Sequence, residues 1–259
     1  ILTAQASNGE VKQIYEDKDE AWIEAVNDWQ YLDKGKSFTW MSEKNGWKSV
    51  YKVSRDGSKE ALVSSGTFDV VNVVLIDEDG GNLYYIASPD NAGQRYLYRS
   101  ALSGKVKPER LTPANEPGSH SYNISPNAKW AIHTYSKAGV PPTISLISLP
   151  DHKTVRMLAE NKELKEKVAK IDRNETEFFQ VKADDGVILD CYMIKPVGFD
   201  PNKKYPVFFH VYGEPWGQTA TDEWGAASLW HKMMAQEGYL VISIDNRGTP
   251  APKGREWRK

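Results

Sequence analysis

The sequence predicts a chain of two folds, β-propeller blades (all-β) followed by the opening of an α/β domain. Two observations predict the first part. Units of turn, strand, polar loop and strand open at Asp33, Asp79 and Asn127, and a spacing of about 46 to 48 residues without helices is that of propeller blades. Aromatic residues make up 11% of the chain, with nine tryptophans, and many tryptophans and tyrosines fall in short alternating stretches, as half-buried strands require. A third observation predicts the second part. Past residue 175 the alternation gives way to continuous apolar runs separated by a helical stretch, the pattern of strands covered on both faces.

The first unit runs from Asp33 through Phe38-Thr-Trp-Met-Ser42 to Ser49-Val-Tyr-Lys-Val53. The second runs from Asp79 through Leu83-Tyr-Tyr-Ile-Ala87 to Arg95-Tyr-Leu-Tyr98. The third runs from Asn127 through Trp130-Ala-Ile-His-Thr-Tyr135 to Thr143-Ile-Ser-Leu-Ile147. Arg55-Asp-Gly-Ser58 and Ser103-Gly104 supply turns between strands. Val70-Val-Asn-Val-Val-Leu-Ile76 reads as an inner strand with a blade on either side. Three or so repeats do not close a ring, so these are expected to be the C-terminal blades of a longer propeller, residues 1–158. An open β-sandwich is the alternative.

From residue 159 to 174 the composition shifts to Ala, Glu, Lys and Leu. This predicts a charged helical connector with a narrow apolar edge at Leu164, Val168 and Ile171. Glu177 to Lys182 and Val187 to Lys195 flank Asp184-Asp-Gly186, a hairpin signal. Tyr205 to Val211 follows as a strand expected to be covered on both faces. It breaks into the loop Tyr212-Gly-Glu-Pro-Trp-Gly217. A helix over 226–236 and a second covered strand, Leu240 to Ile244, lead to Asp245-Asn-Arg-Gly-Thr249. A hairpin followed by strand–helix–strand is a mixed sheet becoming parallel. Residues 175–259 are therefore predicted to form the N-terminal part of an α/β-hydrolase domain.

Such a domain places its nucleophile on a later Gly-x-Ser-x-Gly elbow, followed by an acid and a histidine. No Gly-x-Ser-x-Gly occurs in these 259 residues. The expectation is of a piece that ends before the nucleophile and performs no chemistry alone. The chain opens at Ile1 with no leader pattern, which suggests a processed or excised amino end.

Bulk composition excludes several classes. Hydrophobic content of 40% and charged content of 26% fit a globular chain. A net charge of −2 gives no broad attraction to nucleic acid. No apolar run reaches the roughly 18 residues of a membrane-spanning helix. The lone Cys191 excludes an internal disulfide and a cysteine-rich metal site, and reads as a small core hydrophobe. The five histidines are scattered, none in hydrolase order and no two at metal-ligand spacing, so neither metal nor cofactor is expected. His210 is read as a core or rim residue and His231 as a helix residue. Asn123-Ile-Ser125 and Asn174-Glu-Thr176 match the glycosylation acceptor pattern.

His210-Val-Tyr-Gly-Glu-Pro215 with Gly217-Gln218, Asp245-Asn-Arg-Gly-Thr249, and the order propeller then hydrolase carry a family resemblance. The sequence resembles the dipeptidyl peptidase IV branch of the prolyl oligopeptidase clan of serine peptidases. The resemblance implies an active site between propeller and hydrolase domain, with acyl-enzyme hydrolysis after Pro or Ala that releases short N-terminal peptides. It implies that Tyr212 is an oxyanion-hole donor. Strand capping and packing is the bland reading of that residue. Glu214 stands where the family has a second glycine. It narrows the cavity, binds a substrate amine or faces solvent, with solvent the bland choice. Glu214 and Trp216 are the substrate-binding candidates, and Arg247 is expected to hold its loop. The family's paired glutamates for the substrate amine are absent from this chain. The resemblance further implies a peptide substrate, a homodimer in the parent protein, and a periplasmic or extracellular place. Two alternatives stay open. One is a non-catalytic propeller module that binds peptides or proteins. The other is an acylaminoacyl peptidase or an endo-acting oligopeptidase.

Overall fold

The computed structural model describes residues 1–24, 28–171 and 174–259, with backbone alone for Ile171 and residues 226–228. A short hairpin of β1 (Leu2–Ala4) and β2 (Val11–Gln13) comes first. Three four-stranded antiparallel sheets follow in chain order. The first holds β3 (Tyr31–Leu32), β4 (Ser37–Ser42), β5 (Ser49–Ser54) and β6 (Glu60–Leu62). The second holds β7 (Val70–Asp77), β8 (Asn82–Ala87), β9 (Tyr96–Ala101) and β10 (Glu109–Arg110). The third holds β11 (Ser119–Ile124), β12 (Trp130–Lys137), β13 (Val140–Ser148) and β14 (Thr154–Ala159). Each is a meander, the arrangement of a propeller blade. The repeats visible in the sequence are the central pairs β4–β5, β8–β9 and β12–β13. The run from Val70 is the first, edge strand of the second blade.

The blades are held together face to face. Successive side chains of a strand point to opposite faces, and β8 uses both. Leu83, Tyr85 and Ala87 join Leu32, Met41 and Val50 in a core shared with the first blade. Tyr84 and Ile86 join Ala131 and Ile147 in a core shared with the third. A strand covered twice needs apolar residues at every position, which is why Leu-Tyr-Tyr-Ile-Ala shows no polar alternation. Each fully buried side chain of this size contributes about 1.5–3 kcal/mol. The outer face of the first blade is closed by Ile14 and Tyr15 against Phe38, Tyr51 and Val53. Its turn at Asp56-Gly57 lies hard against that segment. Gly57 has φ +75°, and a Cβ there would stand 1.7 Å from the Ile14 carbonyl oxygen.

Helix α1 (Lys162–Ile171) follows β14 after two residues. Val168 is buried, whereas Leu164 is exposed, so the apolar edge is narrower than the sequence pattern. Asp172 and Arg173 of the predicted connector lie outside the described residues. The last sheet has the order β15 (Thr176–Lys182), β16 (Ile188–Ile194), β18 (Leu240–Ile244), β17 (Val207–His210). β15–β16 and β16–β18 are antiparallel, and β17–β18 is parallel. Helix α2 (Ala226–Gln236) packs Ala235 and Met234 against Val241, Ile194 and Phe208. A last short helix is α3 (Arg255–Arg258).

One expectation fails here. The run Tyr205 to Val211 is not a strand covered on both faces. β17 is four residues long and stands at the sheet edge, with α2 over Phe208 on one side. Phe209 is 59% exposed, and Val207 and Val211 are exposed too. A continuous apolar run shows that both faces can be covered, but it does not show where in the sheet the strand lies.

The two acceptor sequons differ. Asn123 is exposed on β11. Asn174 is buried, and its Nδ2 donates to the Lys195 carbonyl at 2.5 Å, so its amide is committed in the folded chain.

Candidate functional site

The parallel strands β17 and β18 end on the same side of the sheet, and each runs into a loop. In α/β sheets the carboxyl ends of parallel strands are where ligands and reacting groups collect. The loop after β17 carries Tyr212 two residues past the strand end. Tyr212 is 50% exposed. Its ring lies flat over Gly217, where a Cβ would come within 2.5–2.7 Å of three ring atoms. Any side chain at 217 therefore displaces the phenol. Glu214 is exposed, and Trp216 is exposed at 75%.

Buried polar groups fix the rest of this loop. Asp245, at the end of β18 and 2% exposed, accepts from the Thr219 N–H at 2.7 Å, the Thr219 Oγ1–H at 2.8 Å and the Ala220 N–H at 3.2 Å. Ser243 Oγ donates to the His210 carbonyl at 2.8 Å and lies 2.8 Å from Thr219 Oγ1. Beneath them Tyr192 OH pairs with His231 Nδ1 at 2.7 Å. The His210 ring lies 4.7 Å from that of His231, whose pKa burial lowers. The loop after β18 carries Arg247, which forms an ion pair with Asp185 of the β15–β16 turn at 2.5 Å.

Two cavities border these loops. One of about 210 Å³ is lined by Tyr192, His210, Gln218, Thr219 and His231, among others. A larger one of about 510 Å³ lies between the Ser88–Gln94 loop of the second blade and β15–β16, with Phe178, Asp190 and Lys253 in its wall. Tyr212, Glu214 and Trp216 line neither. The structure thus brings Tyr212, Glu214 and Trp216 onto one loop and sets Arg247 on the neighbouring one, paired away from them.

The histidines, scattered in sequence, are grouped in the fold. In the third blade His120 pairs with Tyr135 and Tyr122 with His133 across β11–β12. His120 Nδ1 and His133 Nε2 are 2.9 Å apart, and Tyr122 OH binds His152 Nε2 at 2.8 Å. Burial is the main cause that lowers the pKa of His120 to about 4 and of His133 to about 3. The signal was present as His-x-Tyr on one strand and His-x-Tyr on the next, at matching places in an antiparallel pair. No group of three or more metal-ligating side chains forms a metal site among the described residues. No described helix is long and apolar enough to cross a membrane.

Meander blades stacked face to face, leading into a mixed sheet with parallel strands at its edge, define propeller blades joined to the opening of an α/β-hydrolase fold. The dipeptidyl peptidase IV N-terminal region model matches residues 1–142, more than half of the chain. The chain belongs to the dipeptidyl peptidase IV family. Dipeptidyl peptidase 4 of Trichophyton rubrum is 27% identical over 267 residues, covering 100% of the chain and 34% of the relative. A probable dipeptidyl-aminopeptidase B of Emericella nidulans is 30% identical over 89% of the chain and 26% of its own length. The crystal structure of Porphyromonas gingivalis dipeptidyl peptidase 4 superposes with a TM-score of 0.89 at 26% identity, over 100% of this chain and 36% of that one. The chain therefore spans between about a quarter and about a third of the length of these relatives.

Proposed function

We propose that the chain forms part of a serine-type dipeptidyl peptidase. Residues 1–158 supply propeller blades, 159–174 a connector, and 175–259 the start of the catalytic domain. The observation that carries this reading is the placement of Tyr212, a half-exposed phenol just past the end of a parallel strand, fixed over Gly217. In the proposed role its hydroxyl donates a hydrogen bond to the scissile carbonyl oxygen as negative charge develops there. A backbone N–H beside the nucleophilic serine is the second donor. The serine, acid and histidine belong to parts of the parent protein outside these residues, so the 259-residue chain alone hydrolyses nothing. The substrate is a peptide with Pro or Ala near its free amino end, cleaved after that residue. Glu214 and Trp216, exposed on the same loop as Tyr212, meet the substrate. Arg247 acts on the loop after β18 through Asp185.

The test is Tyr212→Phe in the full-length parent, assayed on Xaa-Pro and Xaa-Ala chromogenic dipeptides. Loss of one oxyanion donor lowers kcat by about 10²–10³, with KM little changed. An unchanged kcat refutes the role. A panel with Xaa-Xaa-Pro and acetyl-amino-acid substrates separates the dipeptidyl reading from tripeptidyl and acylaminoacyl cleavage. Turnover by the purified 1–259 chain refutes its inactivity.

A further inference from the structure

The Tyr212 loop is tied to the blades as well as to its own sheet, through two side chains to which the family reading assigns no role. Gln218 spends both ends of its amide on the second blade. Its Oε1 accepts from an Arg95 NH2 group at 2.7 Å, and its Nε2 donates to the Ala92 carbonyl at 3.0 Å. Asp222 does the same four residues on. Its backbone N–H donates to the Gly93 carbonyl at 2.7 Å. Its Oδ2 accepts from Gln94 Nε2 at 2.8 Å, and its Oδ1 accepts from the Ala138 N–H of the third blade at 2.9 Å. Arg95 is held in turn by the Ala92 and Gln94 carbonyls at 2.8 and 2.7 Å. The two side chains therefore bracket residues 218–222 against the Ala92–Arg95 loop, while Asp245 holds Thr219 and Ala220 from the other side.

The Tyr212 ring itself lies over Gly217. The phenol inherits its position from residue 217, and residue 217 from the bracket that starts at 218. We infer that Gln218, seated on Arg95 and Ala92 with Asp222 as the second point, is a positioning residue that sets the Tyr212 hydroxyl relative to the blades. This rests on the oxyanion role proposed for Tyr212. Interactions with developing charge depend steeply on geometry. A misplacement of about 1 Å costs up to about 10²-fold in rate, so a remote amide can control the reaction without touching substrate.

The experiment uses the full-length parent protein and the variants Gln218→Ala, Tyr212→Phe and the double variant, with two readouts. The first is amide hydrogen exchange across residues 211–222, which reports local opening. The second is kcat and KM on an Xaa-Pro substrate. The inference expects Gln218→Ala to speed exchange in this segment while the β8 and β12 amides stay protected. It expects kcat to fall about 10- to 100-fold with KM within about twofold. Added to Tyr212→Phe, it expects Gln218→Ala to cost nothing more, because a phenol that no longer donates gains nothing from being placed. Gln218→Glu retains one acceptor for Arg95 and recovers part of the kcat. Unchanged exchange across 211–222, or a loss that multiplies in full with that of Tyr212→Phe, overturns the inference. If Tyr212→Phe leaves kcat unchanged, the oxyanion reading falls on its own, and the exchange data still decide whether Gln218 holds the loop.

Discussion

Replacing Asp69 by alanine removes the anchor on which the end of the chain is seated. Asp69 lies just before β7 and is 2% exposed. It accepts from the Lys48 N–H at 2.6 Å, the Gly254 N–H at 2.7 Å, and the Arg258 guanidinium at 2.7 and 3.1 Å. Arg258 is buried as well, with Glu43 as its second carboxylate. Breaking a buried ion pair by removing one partner costs about 3–5 kcal/mol, and each buried donor left without an acceptor costs roughly 1–3 kcal/mol. Glu43 keeps the Arg258 charge partly matched, so the expected cost of Asp69→Ala is about 4 kcal/mol. Arg258→Lys is milder. Lysine keeps a cation between the Asp69 and Glu43 carboxylates, and Asp69 retains its two backbone donors, so about 2 kcal/mol is lost. Urea unfolding followed by far-UV circular dichroism reads the difference. Asp69→Ala lowers the midpoint by about 1–2 M, and Arg258→Lys by about half that. An Arg258→Lys variant that is at least as unstable as Asp69→Ala refutes the reasoning, because the retained charge and the backbone donors then contribute nothing.

Three further outcomes are expected. The buried His120 and His133 titrate near 4 and 3 when folded but near 6.5 when unfolded. The unfolded chain therefore binds more protons between these values. Their stabilisation is complete above about pH 6.5 and falls with acidification at up to about 1.4 kcal/mol per pH unit for each ring. His133→Gln flattens the change in urea midpoint between pH 7 and 5, and equal slopes in the two proteins contradict the argument. Cys191 is buried, and burial raises its thiol pKa to about 11, so Ellman's reagent at pH 8 leaves it untouched until urea unfolds the chain. Fast labelling of the native protein disproves that placement. Gly57→Ala adds a methyl group against the Ile14 carbonyl, whereas Gly46→Ala, with φ +89° and open space around it, adds only backbone strain. Gly46→Ala costs about 1–2 kcal/mol and Gly57→Ala more, and the opposite order of melting temperatures removes the steric account.

Much of the fold was legible because the blades repeat. Turn residues at Asp33, Asp79 and Asn127 marked the central hairpins, but not which face each strand buries, because β8 is covered on both. The helix over 226–236 and the hairpin at Asp184-Asp-Gly186 followed from periodicity and turn chemistry alone. Strand position within a sheet was not legible. Val207–His210 and Leu240–Ile244 are similarly apolar, but one forms an edge and the other lies between neighbours. For the candidate site, the motif residues were visible before their partners were. Gln218 and Asp245 stood inside quoted motifs, but their hydrogen bonds run to Ala92, Arg95, Thr219 and Ala220, and most of these partners are distant in sequence. The histidine cluster showed only as a repeated His-x-Tyr, whose partners were not visible. Cross-strand register, which no local pattern states, brought His120 and His133 together.

The outer edge of β17 has a consequence for how this stretch of chain behaves in bulk solution. Among the described residues no strand lies beyond it, so its outward N–H and C=O groups are unpaired beside exposed Phe209 and Val207. Such an edge is a template for any other extended chain. A net charge of −2 supplies little repulsion between copies. In the isolated 259 residues β17 is thus one edge along which separate molecules can pair, and Phe209→Lys would disfavour growth into one sheet there.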